Sequence, residues 1–249
     1  MAGLLEVCVD SLPSARAAVS AGADRLELCA GLAVGGLTPY TALLRQIRAE
    51  SDIPIRCLMR HRAGDFLYTP DEIALLCDQI CELKAAGAGG FVIGCLTPAG
   101  MLDRESMSPL MDAAGGCGVT LHRCIDVSVD PVQTYLDAMA LGIDTVLTSG
   151  AASSCLGGMA TIARLLEVRD AHNGPEVLVG AGVNAGVISR FRKELPTARA
   201  FHMSGKTDLE SGMVFRREGV PMGLPGLDEF HIQQTDPAAV RAARTVLDE

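Results

Sequence analysis

Two segments near the N-terminus, LLEVCVD and RLELCA, each carry a glutamate two residues before a cysteine: Glu6 with Cys8, and Glu27 with Cys29. Side chains alternate faces along a strand, so each glutamate shares a face with its cysteine. Two such strands turned toward one cavity present two carboxylates and two thiols together. The carboxylates suit proton transfer, which makes Glu6 and Glu27 acid/base candidates. The thiols of Cys8 and Cys29 suit a soft metal such as Cu(I) or zinc, or a reactive sulfur. Carboxylates are rarely buried without partners, so this pattern marks where function lies.

More polar side chains stand where other strand-like segments end. MRHRAGDFLY offers Arg60, His61, Arg62 and Asp65, and VTLHRCID sets Thr120, His122, Cys124 and Asp126 on one alternating face. Thr148, Ser149 and Gly150 close a further segment, and His202 with Ser204 closes another. His122 is a third acid/base candidate beside an anion anchor at Arg123. Arg60, Arg62, Asp65, Asp126, Ser149, His202 and Ser204 are ligand-binding candidates. Gly182 joins them, because the glycine-bearing turns VGAGVN and MSGKT fit backbone binding of an anion, with Lys206 close by. No Gly-x-Ser-x-Gly elbow occurs, which argues against serine nucleophile chemistry.

The elements that must position these residues follow a repeated scheme. VSAGADRLELC, LKAAGAGGFVIGC and MALGIDTVLTSG each end a helix at glycine (Gly22, Gly87, Gly142) and enter an apolar strand a few residues later. Strands are expected over residues 4–9, 25–30, 55–60, 90–95, 119–125, 145–148, 176–181 and 200–204, with helices between them. Thr69 with Pro70 and Glu72, and Asp236 with Pro237, read as helix starts. Eight alternating units without a linker fit a single-domain α/β fold, a (β/α)8 TIM barrel over residues 1–249. An open doubly wound sheet fits less well, because the first strand runs into Asp10-Ser11-Leu12-Pro13 rather than a glycine-rich turn. Residues 205–234 read as a lid or oligomer-contact segment before the last helix. In such a barrel these side chains gather at the C-terminal mouth, either as a ligand pocket or as a structural plug of paired Glu, Arg and His.

The 249 residues are 49% hydrophobic and 20% charged, which suits one large core. A net charge of -9 without a Lys/Arg cluster argues against a nucleic-acid partner. No apolar run reaches the roughly 18–20 residues of a membrane span, so no membrane partner is expected and a cytoplasmic location is. Nine scattered cysteines without a C-x-x-C pair fit reduced thiols, with Cys77 and Cys81 as helix-core residues.

Taken together, LEVCVDS, AGADRLELCAGLAVGGLTP, RAGDFLYT, VTLHRCID, VLTSG, GAGVN, FHMSG and SGMVFRREGVPMG closely resemble the CutC family of copper homeostasis proteins. The resemblance runs over nearly the whole chain. It implies a cytoplasmic (β/α)8 barrel that forms a homodimer or higher homo-oligomer and binds copper, as Cu(I), through Cys8 and Cys29. Two departures stand out: Arg60-His61-Arg62 where the family usually has Arg-Pro-Arg, and Cys124-Ile125 in place of Ala-Phe. The residues themselves also support an enzyme acting on a small anionic or phosphorylated metabolite through a Glu/His/Arg pocket at the barrel mouth.

Overall fold

The inward faces of the strands set the architecture. The computed structural model describes residues 3–217, 219, 220, 223, 226 and 228–249. Parallel strands β1 (Leu4–Val9), β2 (Arg25–Leu28), β3 (Ile55–Leu58), β4 (Gly90–Ile93), β5 (Gly118–Leu121), β6 (Thr145–Thr148), β7 (Glu176–Val179) and β8 (Ala200–Met203) close in that order, β8 pairing back onto β1. Outside them lie α1 (Leu12–Ser20), α2 (Thr41–Glu50), α3 (Pro70–Ala85), α4 (Arg104–Ala114), α5 (Pro131–Ala140), α6 (Met159–His172), α7 (Ala185–Glu194) and α8 (Pro237–Asp248). The fold is thus the expected (β/α)8 barrel. None of the helices described is long and apolar enough to cross a membrane.

Local chemistry starts the helices as expected. Thr69 and Glu72 exchange side-chain and backbone hydrogen bonds in a capping box ahead of α3, and Asp236 accepts from the Ala238 N–H to open α8 behind Pro237. The main core fills the space between barrel and helices, with Leu5, Phe91, Tyr135, Phe191 and Phe201 all fully buried. Burying side chains of this size contributes about 1.5–3 kcal/mol each.

The barrel interior is different. Leu4, Leu147, Leu178 and Ala200 form one apolar patch, and Cys29, Leu58 and Val92 another. Between them lie charges. Register sets Glu6 opposite both Arg25 and His202, Cys8 opposite Glu27, and Glu27 opposite Arg56. Arg56 reaches across the barrel to Thr120 Oγ1 at 2.6 Å and Asp144 Oδ1 at 2.7 Å. Gly90 and Gly118 give it room: a Cβ on Gly118 would stand 2.6 Å from Arg56 Nη2, and one on Gly90 would stand 2.5 Å from the Gly118 carbonyl oxygen.

Two expectations of strand extent need correction. β5 stops at Leu121, and His122 caps a short 3-10 turn over Arg123–Val127, so Cys124 and Asp126 leave the strand instead of continuing its inward face. Strands β2, β3, β4 and β7 also end two residues early. Within residues 205–234, β9 (Lys206–Glu210) and β10 (His231–Thr235) pair as an antiparallel ribbon, rooted by a hydrogen bond from the Thr235 N–H to Ser14 Oγ. Residues 218, 221, 222, 224, 225 and 227 of that segment lie outside the described residues.

Replacing Gly90 by alanine forces a Cβ against backbone and is expected to cost about 1–3 kcal/mol of stability. Chemical denaturation of the Gly90→Ala protein checks this; an unchanged midpoint contradicts the packing described.

Candidate functional site

At the centre of the barrel, Glu6 is fully buried. Arg25 Nε donates to its Oε2, and His202 Nδ1 lies 2.8 Å from its Oε1. Burial alone would push this carboxyl up; the His202 hydrogen bond and the Arg25 charge outweigh it and hold Glu6 down at about 2. Burial would likewise strip the proton from His202. The Coulombic pull of Cys8 and Glu27, with hydrogen bonds to Cys8 and Glu6, raises it well above the usual histidine value instead. These neighbours favour the charged form of the imidazole.

Glu27 fares differently. It stands one register step further along the same wall, 3.9 Å from His202 Nδ1, and its Oε2 is buried without a hydrogen-bond partner. Burial pushes its proton affinity up, His202 pulls it back, and the charge on Glu6 pushes it up again, leaving it at about 7. Two carboxyls on adjacent strands thus hold opposite protonation preferences, because Arg25 and His202 bond only the first.

His122 supplies a neutral donor. Its Nδ1 accepts from the Cys124 N–H at 3.1 Å, so the ring carries its proton on Nε2, which is buried and unpartnered. Burial, then the Arg60 charge, drives it down to about 3, and the ring stays neutral. Phe66 covers one face at 4.5 Å, with the Arg60 guanidinium over Phe66 at 5.5 Å. Gly94 leaves space for the ring, since a Cβ there would lie 2.5 Å from His122 Cε1. Arg60 donates to the Val34, Gly36 and Gly64 carbonyls, tying two mouth loops together, while its Nε stays unpartnered.

These groups border one cavity of about 330 Å³ at the C-terminal mouth. Cys8, Glu27 and His202 line it along β1, β2 and β8; Arg60, Phe66 and His122 line it along β3 and β5; Arg123, Lys206, Ser204 and Gly182 complete it. Of the candidates read from sequence, Cys8, Glu27, Arg60, His122, Gly182, His202 and Ser204 come together here. Glu6 lies in the layer directly behind.

Others do not join them. Cys29 is fully buried among Leu58, Val92 and Leu32, and its thiol donates to the Val9 carbonyl at 3.5 Å. Burial, with the charges of Cys8, Glu27 and Asp10 against Lys206, pushes that thiol far up. Asp126 accepts from Thr148 Oγ1, Ser149 Oγ and the N–H groups of Ser149 and Ala151, so Asp126 and Ser149 clamp the loop after β6. Arg62 pairs with Glu72 and Asp65 outside the cavity, and His61 pairs with the same Glu72 at 2.8 Å. Sequence reading passed over Phe66, Leu147 and the interior Arg56. Alternation back along β3 from Arg60 through Leu58 points to Arg56.

Ligand atoms of Glu6, Glu27 and His202 lie within 4.8 Å of one another, a spacing that could hold a metal ion. Both Glu6 oxygens are already bonded, however, which leaves Glu27 as the open member of the set. For copper, the two sulfurs suit a soft ion, but Cys8 borders the cavity while Cys29 points at a backbone carbonyl behind it.

Comparison with known proteins places these features in a group. Residues 3–207 match the model of the CutC family. A family protein CutC of Pasteurella multocida is 39% identical over 245 residues, 98% of this chain and 99% of that protein. The human copper homeostasis protein cutC homolog is 38% identical over 244 residues, 98% of this chain and 88% of that protein. The solved CutC structure from Streptococcus agalactiae superposes with a TM-score of 0.76 at 26% identity, covering 81% of this chain and 98% of that one.

The unpartnered carboxyl has a stability signature. Between pH 4.5 and about 7 the unfolded chain releases a proton that folded Glu27 retains, so this residue costs stability as pH rises through that window. Glu27→Gln is therefore expected to match wild type near pH 4.5 and to exceed it near pH 7.5, by on the order of 2 kcal/mol. Glu6→Gln, which strands Arg25 and His202, is expected to lose about 3–5 kcal/mol. Denaturant titrations at both pH values check the pair; destabilisation by Glu27→Gln at pH 7.5 contradicts the site described.

Proposed function

The chain belongs to the CutC family, and from that premise we propose that its cavity binds a small anionic metabolite and transfers a proton on it. The observation that carries this reading is that two side chains lining one cavity, Glu27 and His122, each hold a buried polar atom, Oε2 and Nε2, with no hydrogen-bond partner among the described residues. Leaving such atoms unsatisfied costs about 1–3 kcal/mol each, a cost a bound ligand removes. Glu27, at about 7, is divided between acid and base at neutral pH, the condition under which one carboxyl both takes and returns a proton. Neutral His122 donates its Nε2–H to a carbonyl or developing oxyanion without giving up that proton. Arg123 and Lys206 supply positive charge for the ligand's anionic group, beside the turns at Gly182 and Ser204.

Cu(I) binding through Cys8 and Cys29 is a second reading, in line with the copper homeostasis name of the human relative. The observation that favours it is the Cys8 sulfur at the cavity wall, one strand away from the inward-facing Cys29. To share an ion, the Cys29 thiol has to turn away from the Val9 carbonyl.

Thermal unfolding against a panel of carboxylated and phosphorylated carbonyl metabolites tests the first reading. A true ligand at about a hundredfold its Kd is expected to raise the Tm by about 5–10 °C, and Glu27→Gln or His122→Asn is expected to abolish most of that rise. A panel that leaves the Tm unmoved contradicts the proposal. For copper, Cu(I) uptake under reducing conditions is expected to fall from one ion per chain to none in the Cys8→Ser/Cys29→Ser protein; unchanged uptake removes this site.

A further inference from the structure

The barrel has a second cavity, at the end opposite the mouth. About 250 Å³ in volume, it is bordered by Leu4, Asp24, Arg25, Pro54, Arg56 and Gly89, where the first four strands begin. Neither Arg25 nor Arg56 borders the mouth cavity, and their side chains are only 10% and 12% exposed. Burying two guanidiniums against one cavity is costly unless their charge and their donors are answered. The answers within the chain are incomplete. Arg25 donates Nε to Glu6 Oε2, but its Nη2 is buried with no hydrogen-bond partner among the described residues. Arg56 commits Nη1 to Thr120 and Nη2 to Asp144. Burial and the Arg25 charge lower the proton affinity of Arg56 by more than Asp144 and Glu6 restore.

The neighbouring carboxylates are committed elsewhere. Asp24 accepts from the Leu5 N–H and from Arg244 Nη1, and Asp144 accepts from the Val119 N–H and Thr145 Oγ1 as well as pairing with Arg56. Glu6 is held by Arg25 and His202. A third guanidinium stands at the rim. Arg48, in the last turn of α2, spends Nε and Nη1 on the Gly87 and Ile53 carbonyls and brings Nη2 to 3.9 Å from where a Cβ on Gly89 would stand.

We infer that this floor cavity binds a small oxyanion of the phosphate class, which accepts from Arg25 Nη2 and lies in the field of Arg56 and Arg48. Guanidiniums on several sides of one space suit an ion with acceptor oxygens on several sides better than a planar carboxylate. The volume falls below the roughly 300–1,000 Å³ of pockets for drug-sized ligands, which suits an ion of a few heavy atoms. Arg25 also holds Glu6, so the anion and the buried carboxylate share one guanidinium. The site is separate from the one proposed for a metabolite at the mouth and does not depend on it.

The test follows the arginine Nε–H signals by NMR, assigned through the backbone, while inorganic phosphate replaces chloride at constant ionic strength. Phosphate is taken to about 10 mM, about ten times a Kd of about 1 mM. The Arg25 and Arg56 signals are expected to move together along one saturating curve. Gly89→Asp keeps every arginine and sets a carboxylate at the rim, where a Cβ meets only ordinary contacts; it is expected to weaken phosphate binding by about tenfold or more. Arg123→Gln, which removes positive charge from the mouth cavity, is expected to leave the floor response as it is. Methyl phosphate run beside inorganic phosphate tells the source: the same curve with both assigns the phosphate group of a metabolite, and a curve with inorganic phosphate alone assigns the free ion. Arg25 and Arg56 signals that stay still in the wild type, or move without saturating, overturn the inference by themselves. A floor response lost in folded Arg123→Gln, or undiminished in folded Gly89→Asp, does so as well. Because metabolite stabilisation is read at Glu27 and His122, either site can fail while the other stands.

Discussion

A single buried carboxylate organises this barrel. Glu6 has no access to water, and an ionised carboxylate in that position survives only with its charge and both oxygens answered. Arg25 answers one oxygen and His202 the other. The register of β1 with its neighbours on either side delivers both partners, so closure of the barrel and neutralisation of Glu6 are one structural event. With those two partners fixed on Glu6, no group among the described residues donates to Glu27 Oε2 one step nearer the mouth. The same sequence unit, Glu-x-Cys, thus yields a locked anion on one strand and a proton-carrying acid on the next.

The rest of the interior supports that division. Arg56 crosses the floor over two glycines to reach Thr120 and Asp144, which keeps a second guanidinium occupied away from Glu27. Arg60 spends three hydrogen bonds on loop carbonyls and shapes the wall that faces His122 through Phe66. A barrel interior filled for stability alone would carry branched apolar side chains through every layer. Here the apolar side chains are two patches flanking a charged seam that leads to the cavity.

How far the sequence disclosed this can be followed residue by residue. Alternation alone set Glu6 with Cys8 and Glu27 with Cys29, and the recurrent helix-glycine-strand unit set the eight-fold order, because both depend on local geometry. Which glutamate takes Arg25 was not legible, since it depends on register between strands joined by a helix. Asp126 illustrates a second limit: the inward face was extended past Leu121, but the chain turns at His122 and the carboxylate becomes a loop clamp. Cys29 illustrates a third. Alternation pairs its face with Glu27, yet Leu32, in the loop that follows β2, packs against its cluster, and loop conformation is not written in periodicity.

Family membership points to copper and the geometry to proton transfer; the copper reading needs Cys8 and Cys29, the proton-transfer reading needs Glu27 and His122, and Cys8, Glu27 and His122 all line one cavity. The central claim is that pairing of Glu6 with Arg25 and His202 leaves Glu27 as a carboxyl titrating near neutrality. The direct measurement is the pH titration of the glutamate side-chain carboxyl carbons by NMR in the metal-free protein, assigned with Glu6→Gln and Glu27→Gln. Glu27 is expected to titrate near pH 7 while Glu6 stays ionised down to about pH 2. Glu27 titrating near 4.5, as a carboxyl free in water does, would contradict it.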